Sequence, residues 1–197
     1  MLWRMKSLCE YSIQATDGEI GTPDAFLFDE ATWKICYVVI EKGHRSPPQK
    51  VLVAMTTLAS PNQAAHQLPL HLTQLQVKQS PALDEYALSS KNGSTYRDSN
   101  EVVGFQIQGA DGYVGEIEDV IVEDEFWQIR YIVVDTSNWL PGRQVLIPPD
   151  WIETITWSTE HVMVKLSREN ITTCPIYNPS DPVNRAYEIR FYDDDAQ

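Results

Sequence analysis

Apolar residues come along the chain in short bursts separated by turn residues, the signature of strands rather than long helices. Segments 20–28, 33–40 and 50–55 read as strands, and 114–122, 127–134 and 144–149 read the same way. The longest apolar runs, Val51 to Met55 and Tyr131 to Val134, are strand-length. Leu68, Leu70 and Leu72 alternate with polar or small residues, as do Val162, Val164 and Leu166, which predicts half-buried strands. Asp17-Gly18 and Asp111-Gly112 supply tight turns in which the glycines can take positive φ. Thr73-Gln74-Leu75-Gln76 has capping-box spacing and Ser167 holds the equivalent place later, so a short helical turn is predicted after each alternating strand, ended by Pro81 and Pro175.

These signals occur twice. At an offset of 94, Asp17-Gly18 meets Asp111-Gly112, Gly21 meets Gly115, Trp33 meets Trp127, Tyr37 meets Tyr131 and Pro81 meets Pro175. The register holds without a gap for about 65 residues. Between the anchors apolar exchanges for apolar, as in Ile20/Val114, Phe26/Val120, Val53/Ile147 and Leu58/Ile152, so the matched positions read as core. The organisation predicted is a first domain over 1–82, a polar linker over 83–101 containing SSKNGST, and a second domain over 102–197 with an acidic tail. Short strands cannot bury one face alone, and closing them removes exposed edges, so the fold predicted is mainly β: two tandem small barrels, each with a short helical turn near its end.

ATDGEIG at 15–21 and ADGYVG at 110–115, followed by FWQIRYIVVDTSNWLPGRQVLIPP at 126–149 and LSRENI at 166–171, resemble the PRC-barrel pattern. SDPVNRAYEIRFYD at 180–193 is similar to the tail of tandem members. The first copy departs from the pattern: EKGHRSPPQKVLV at 41–53 replaces the tryptophan-containing loop, and Cys36 stands opposite Arg130. The resemblance implies a small β fold found in the cytoplasmic part of the photosynthetic reaction-centre H subunit, in a ribosome maturation factor and in stand-alone proteins. It implies no enzyme activity, and it leaves two roles: an interaction or adaptor protein, or a photosynthesis-associated accessory supporting electron or proton transfer.

Charge narrows the partners. The net charge of −13 is concentrated in residues 91–197, where eight Lys/Arg face nineteen Asp/Glu, against seven and nine in residues 1–90. Nucleic-acid affinity rests on neutralising phosphates, so nucleic acid is not an expected ligand, whereas a protein partner is. No run reaches the length of a membrane span and the N-terminus lacks the pattern of a secretory signal, so a cytoplasmic location is expected. Three cysteines without CxxC spacing read as reduced thiols, and no P-loop, GxSxG or dinucleotide fingerprint is present; neither cofactor nor metal is expected. Glu116, Glu118 and Asp119 read as a solvated strand end rather than cation ligands. Trp139 and Leu140 precede Pro141-Gly142, where turn chemistry brings them to the surface. They either pack on their own or the sister barrel, or meet another protein. With Arg143 and the acidic run Glu123, Asp124 and Glu125, they form the candidate partner-binding set; a homodimer and a small ligand between the barrels stay open.

Overall fold

The computed structural model describes residues 1–42, 49–83, 95–174 and 176–178. The chain is mainly β and divides into two compact units. The N-unit takes its residues from Met5–Asn100 and Asp124–Gln128; the C-unit takes its residues from Met1–Arg4, Glu101–Glu123 and the chain from Ile129 onward.

In the N-unit, a short helix α1 (Met5–Cys9) leads into β2 (Ser12–Ala15), β3 (Gly18–Gly21), β4 (Pro23–Asp29), β5 (Ile35–Lys42), β6 (Gln49–Ala54), β7 (Gln67–Pro69), α2 (Gln74–Lys78) and β8 (Tyr96–Asp98). They form a three-stranded sheet ordered β3-β2-β7 and a four-stranded sheet ordered β6-β5-β4-β8. β4 carries the run Ala-Phe-Leu-Phe, buried throughout, so both its faces are covered. Phe26, Phe28, Leu8, Ile13, Ile35 and Leu68 are fully enclosed. The turn at 124–128 belongs to this unit: Trp127 accepts a hydrogen bond from the Ile35 amide at 2.7 Å and Gln128 Nε2 donates to the Thr32 carbonyl at 2.7 Å.

In the C-unit, β1 (Leu2–Arg4), β9 (Gln106–Gly109), β10 (Gly112–Glu123), β11 (Gln128–Asp135), β12 (Gln144–Ile147), β13 (Ile152–Thr156), β14 (His161–Val164) and β15 (Ile176–Tyr177) form one eight-stranded sheet, and α3 spans Arg168–Thr173. β1 lies antiparallel on β10, with Trp3 opposite Val122. Ile121, Tyr131, Val133, Leu146 and Tyr177 form one core cluster, with Leu2 and Trp151 packed against it.

Local devices recur at the 94-residue offset. The parallel pair β2–β7 sets Ile13 opposite Leu68, and β9–β14 sets Ile107 opposite Val162. Asp17 Oδ1 accepts the Gln74 amide at 2.7 Å, and Asp111 Oδ1 accepts the Arg168 amide at 2.7 Å. Both short helices open with a complete capping box, Thr73 with Gln76 and Ser167 with Asn170. Trp33 and Trp127 both take left-handed φ, 58° and 55°, an uncommon backbone state for a bulky residue.

Two expectations call for finer description. The strand orders are open paths, and no closed barrel is found among the described residues. Part of the reason lies in the chain itself: the counterpart of the 12-residue β10 is split into β3 and β4 at Thr22-Pro23, where a proline without an amide hydrogen divides the strand between two sheets. The second concerns the linker. Tyr96–Asp98 pairs with β4, held by an edge contact of Tyr96 on Tyr37 and a 3.0 Å ion pair between Arg97 and Glu30; residues 84–94 lie outside the described residues.

Candidate functional site

The segment from Asp135 to Gln144 connects β11 to β12 and is tied by its own hydrogen bonds. Thr136 is fully buried; its amide and hydroxyl donate to the Arg143 carbonyl at 3.2 and 2.9 Å, and its carbonyl accepts the amides of Trp139 and Leu140 at 3.1 and 2.9 Å. Asp135 takes the Ser137 amide on Oδ1 at 2.9 Å and the Ser137 hydroxyl on Oδ2 at 3.0 Å, an Asx-type turn. Gly142 supplies the reversal at φ 74°.

This loop turns its tryptophan inward. Trp139 is half-buried, its Nε1 donates to the Val114 carbonyl, and the Arg168 guanidinium carbon lies 4.8 Å from its ring centroid. Asn138 Nδ2 donates to the Tyr113 hydroxyl at 3.2 Å, and Arg143 Nη1 donates to the Thr172 carbonyl at 3.1 Å. Trp139 and Leu140 are both half-buried, and the contacts of Trp139 with Val114 and Arg168 lie within its own unit. The indole needs an acceptor for its N–H and a cover for its face, and β10 and α3 provide both. Arg168 Nε is buried without a hydrogen-bond partner among the described residues.

The acidic candidates separate. Glu123 ends β10 in the C-unit and faces Arg130 at 3.4 Å, a partly exposed pair of small energetic weight. Asp124 and Glu125 belong to the N-unit's turn, beside Phe126, which is 60% exposed. The acidic strand also departs from a solvated end. Asp119 is 1% exposed and its Oδ2 receives Arg4 Nε at 2.8 Å, while Glu118 receives Arg4 Nη2 at 3.4 Å and the Gln144 side-chain amide. Burial of Arg4 works most strongly against its charge, but the hydrogen bond and charge of Asp119, with the charges of Tyr177 and Glu118, together outweigh it and raise the guanidinium pKa. No group of three His, Cys, Asp or Glu with metal-binding geometry occurs among the described residues.

Beside the loop an open cleft of about 470 Å³ is lined by Asp135, Arg143, Gln144, Ile176, Tyr177 and Asn178. Ile176 is 49% exposed, and Gln144 Oε1 is buried without a hydrogen-bond partner among the described residues. The sequence pointed to Arg143 alone. Gln144 lies within the family-like run 126–149 without a role assigned to it there, and Ile176-Tyr177 is a dipeptide too short for any periodicity.

The PRC-barrel domain matches residues 95–171. No curated protein matches the chain. The PRC-barrel match runs from β8 into α3 and holds Trp139, Arg168 and the loop between β11 and β12. The Ile176–Asn178 wall of the cleft lies beyond the PRC-barrel match.

Proposed function

We propose that this chain is a non-enzymatic, cytoplasmic interaction protein built from two PRC-barrel copies, the first diverged, and that it binds a protein partner through the C-unit. The recurrence of the same capping boxes, Asp–amide bonds and parallel strand pairs at one offset supports the duplication. The observation that carries the binding reading is the cleft of about 470 Å³, where an exposed isoleucine and a half-exposed arginine flank a loop already fixed by its own hydrogen bonds. A preformed wall of this kind orders little on binding, which favours affinity. Within the candidate set Arg143 faces the cleft, and Ile176 joins it there, while the indole N–H of Trp139 bonds within its own unit. The acidic charge of the second half suits a basic protein surface and disfavours nucleic acid.

The test is cross-linking mass spectrometry on partners captured from the native host, with Arg143→Glu and Ile176→Asp alongside the unaltered chain. Cross-links converging on 135–144 and 176–178, lost in both variants, support the reading. Capture that both variants leave unchanged would show the cleft to be no partner site, and cross-links between two copies there would make it a dimer contact.

A further inference from the structure

The C-unit contains its own template for a second site. There Trp139 docks with its N–H on the Val114 carbonyl and its face under Arg168, and the apolar Val145 and Ile171 are buried within the same unit. The 94-residue offset carries Val114 to Ile20, Arg168 to Gln74, Val145 to Val51, Ile171 to Val77, Asp135 to Glu41 and Thr172 to Lys78. In the N-unit these six counterparts all line one cleft, of about 200 Å³. The offset carries Trp139 itself to Arg45, so the repeat puts no tryptophan at the equivalent position.

We infer that this N-unit cleft is a receptor site for a tryptophan side chain supplied by a protein partner. The inference rests on the local recurrence of structure and is independent of the C-unit cleft. Val51 and Val77, 1% and 2% exposed, form an apolar floor for a flat ring. The Ile20 carbonyl holds the chain position of the indole acceptor. Gln74, whose Nε2 donates to the Glu19 carbonyl at 3.0 Å, holds the position of the stacking arginine with a planar amide. The rim carries Glu19 and Glu41 against Lys78, all exposed, so a basic residue beside the tryptophan is favoured. Ile20 and Glu41 also line a groove of about 440 Å³ that includes Thr22, Pro23 and Ile40, which gives the residues flanking the tryptophan a path.

The probe is a capped peptide copying residues 136–143, Thr-Ser-Asn-Trp-Leu-Pro-Gly-Arg, titrated into the full chain with methyl and amide NMR. Saturable shifts confined to Ile20, Val51 and Val77, absent with the Trp→Ala peptide, are the expected result. Gln74→Arg, which installs the C-unit's stacking group without removing packing, then tightens binding by about two- to five-fold. Absence of shifts at millimolar peptide, or an equal response to the Trp→Ala peptide, overturns the inference. Shifts at Val114 and Arg168 also overturn it, since the peptide would then be displacing Trp139. Binding of N-acetyl-tryptophanamide as tight as that of the peptide overturns the protein partner and reassigns the cleft to small indoles.

Discussion

Replacing Arg4 by methionine removes one charge from a nearly closed ion pair while keeping an unbranched apolar stem on β1. Asp119 is 1% exposed and Arg4 21%, with 2.8 Å between nitrogen and oxygen, so water reaches the cation and hardly the anion. At an effective dielectric of about 20 the gross attraction at that separation is roughly 6 kcal/mol, most of it offset by desolvation. Deleting one member leaves the other charge buried, which costs about 3–5 kcal/mol in closed sites and, with Arg4 partly open, about 2–4 kcal/mol here. The Val120 amide, which bonds Asp119 Oδ1 at 2.8 Å, cannot neutralise the carboxylate. That loss is a large share of a domain stability of about 5–15 kcal/mol. The assay is a double-mutant cycle, Arg4→Met with Asp119→Asn, in urea unfolding, with amide exchange followed at Ile121 and Val122 where β1 pairs. The double variant recovers at least about 1.5 kcal/mol of the summed single losses, because the asparagine leaves no buried charge. A loss below about 0.5 kcal/mol for Arg4→Met, or strict additivity, would refute the reasoning.

Trp139→Ala lowers the stability of the C-unit by about 2–4 kcal/mol, seen as an earlier thermal transition, because it removes a half-buried ring and its hydrogen bond; a silent substitution would show the loop to be detached. Gly115→Ala puts a Cβ 2.1 Å from the Asp135 carbonyl oxygen, where backbone must move, and costs at least about 2 kcal/mol in chemical denaturation. Burial pushes the Tyr113 phenol above its ordinary 10.0, with Glu116 adding and the Asn138 hydrogen bond opposing. The folded chain therefore keeps a proton that the unfolded chain gives up: this stabilisation is whole below about pH 10 and declines as pH rises through the folded pKa. Tyr113→Phe flattens that decline in urea melts run across the alkaline range.

Strand positions were legible where burial on one or both faces dictates apolar patterning. The expected 114–122, 127–134 and 144–149 became β10, β11 and β12, and 33–40 and 50–55 became β5 and β6. The capping boxes at Thr73 and Ser167 were readable because two side chains three residues apart satisfy the end of a helix without outside help. Three features depended on long-range partners and left no local pattern. Tyr96-Arg97-Asp98 has no alternation, and its strand exists through β4, Tyr37 and Glu30. Segment 20–28 was broken by Pro23, whose effect depends on which neighbour needed its missing amide. Trp139 sits in a loop with surface chemistry, and only the Val114 carbonyl and the Arg168 side chain, distant in sequence, determine that it turns inward. Of the residues lining the C-unit cleft, Arg143 was singled out in the sequence, whereas Gln144 and Tyr177 are brought to it only by the fold.

The short strand β1 alters how the protein is made. Residues 2–4 are synthesised well before the strand they pair with, Asp119 standing 115 positions after Arg4. The N-unit waits in the same way, since Gln128 returns to Thr32 across 96 positions. A break in the gene between codons 100 and 101 would release two polypeptides, each carrying a fragment that completes the other's unit. Neither unit therefore has all its residues until part of the other has been synthesised.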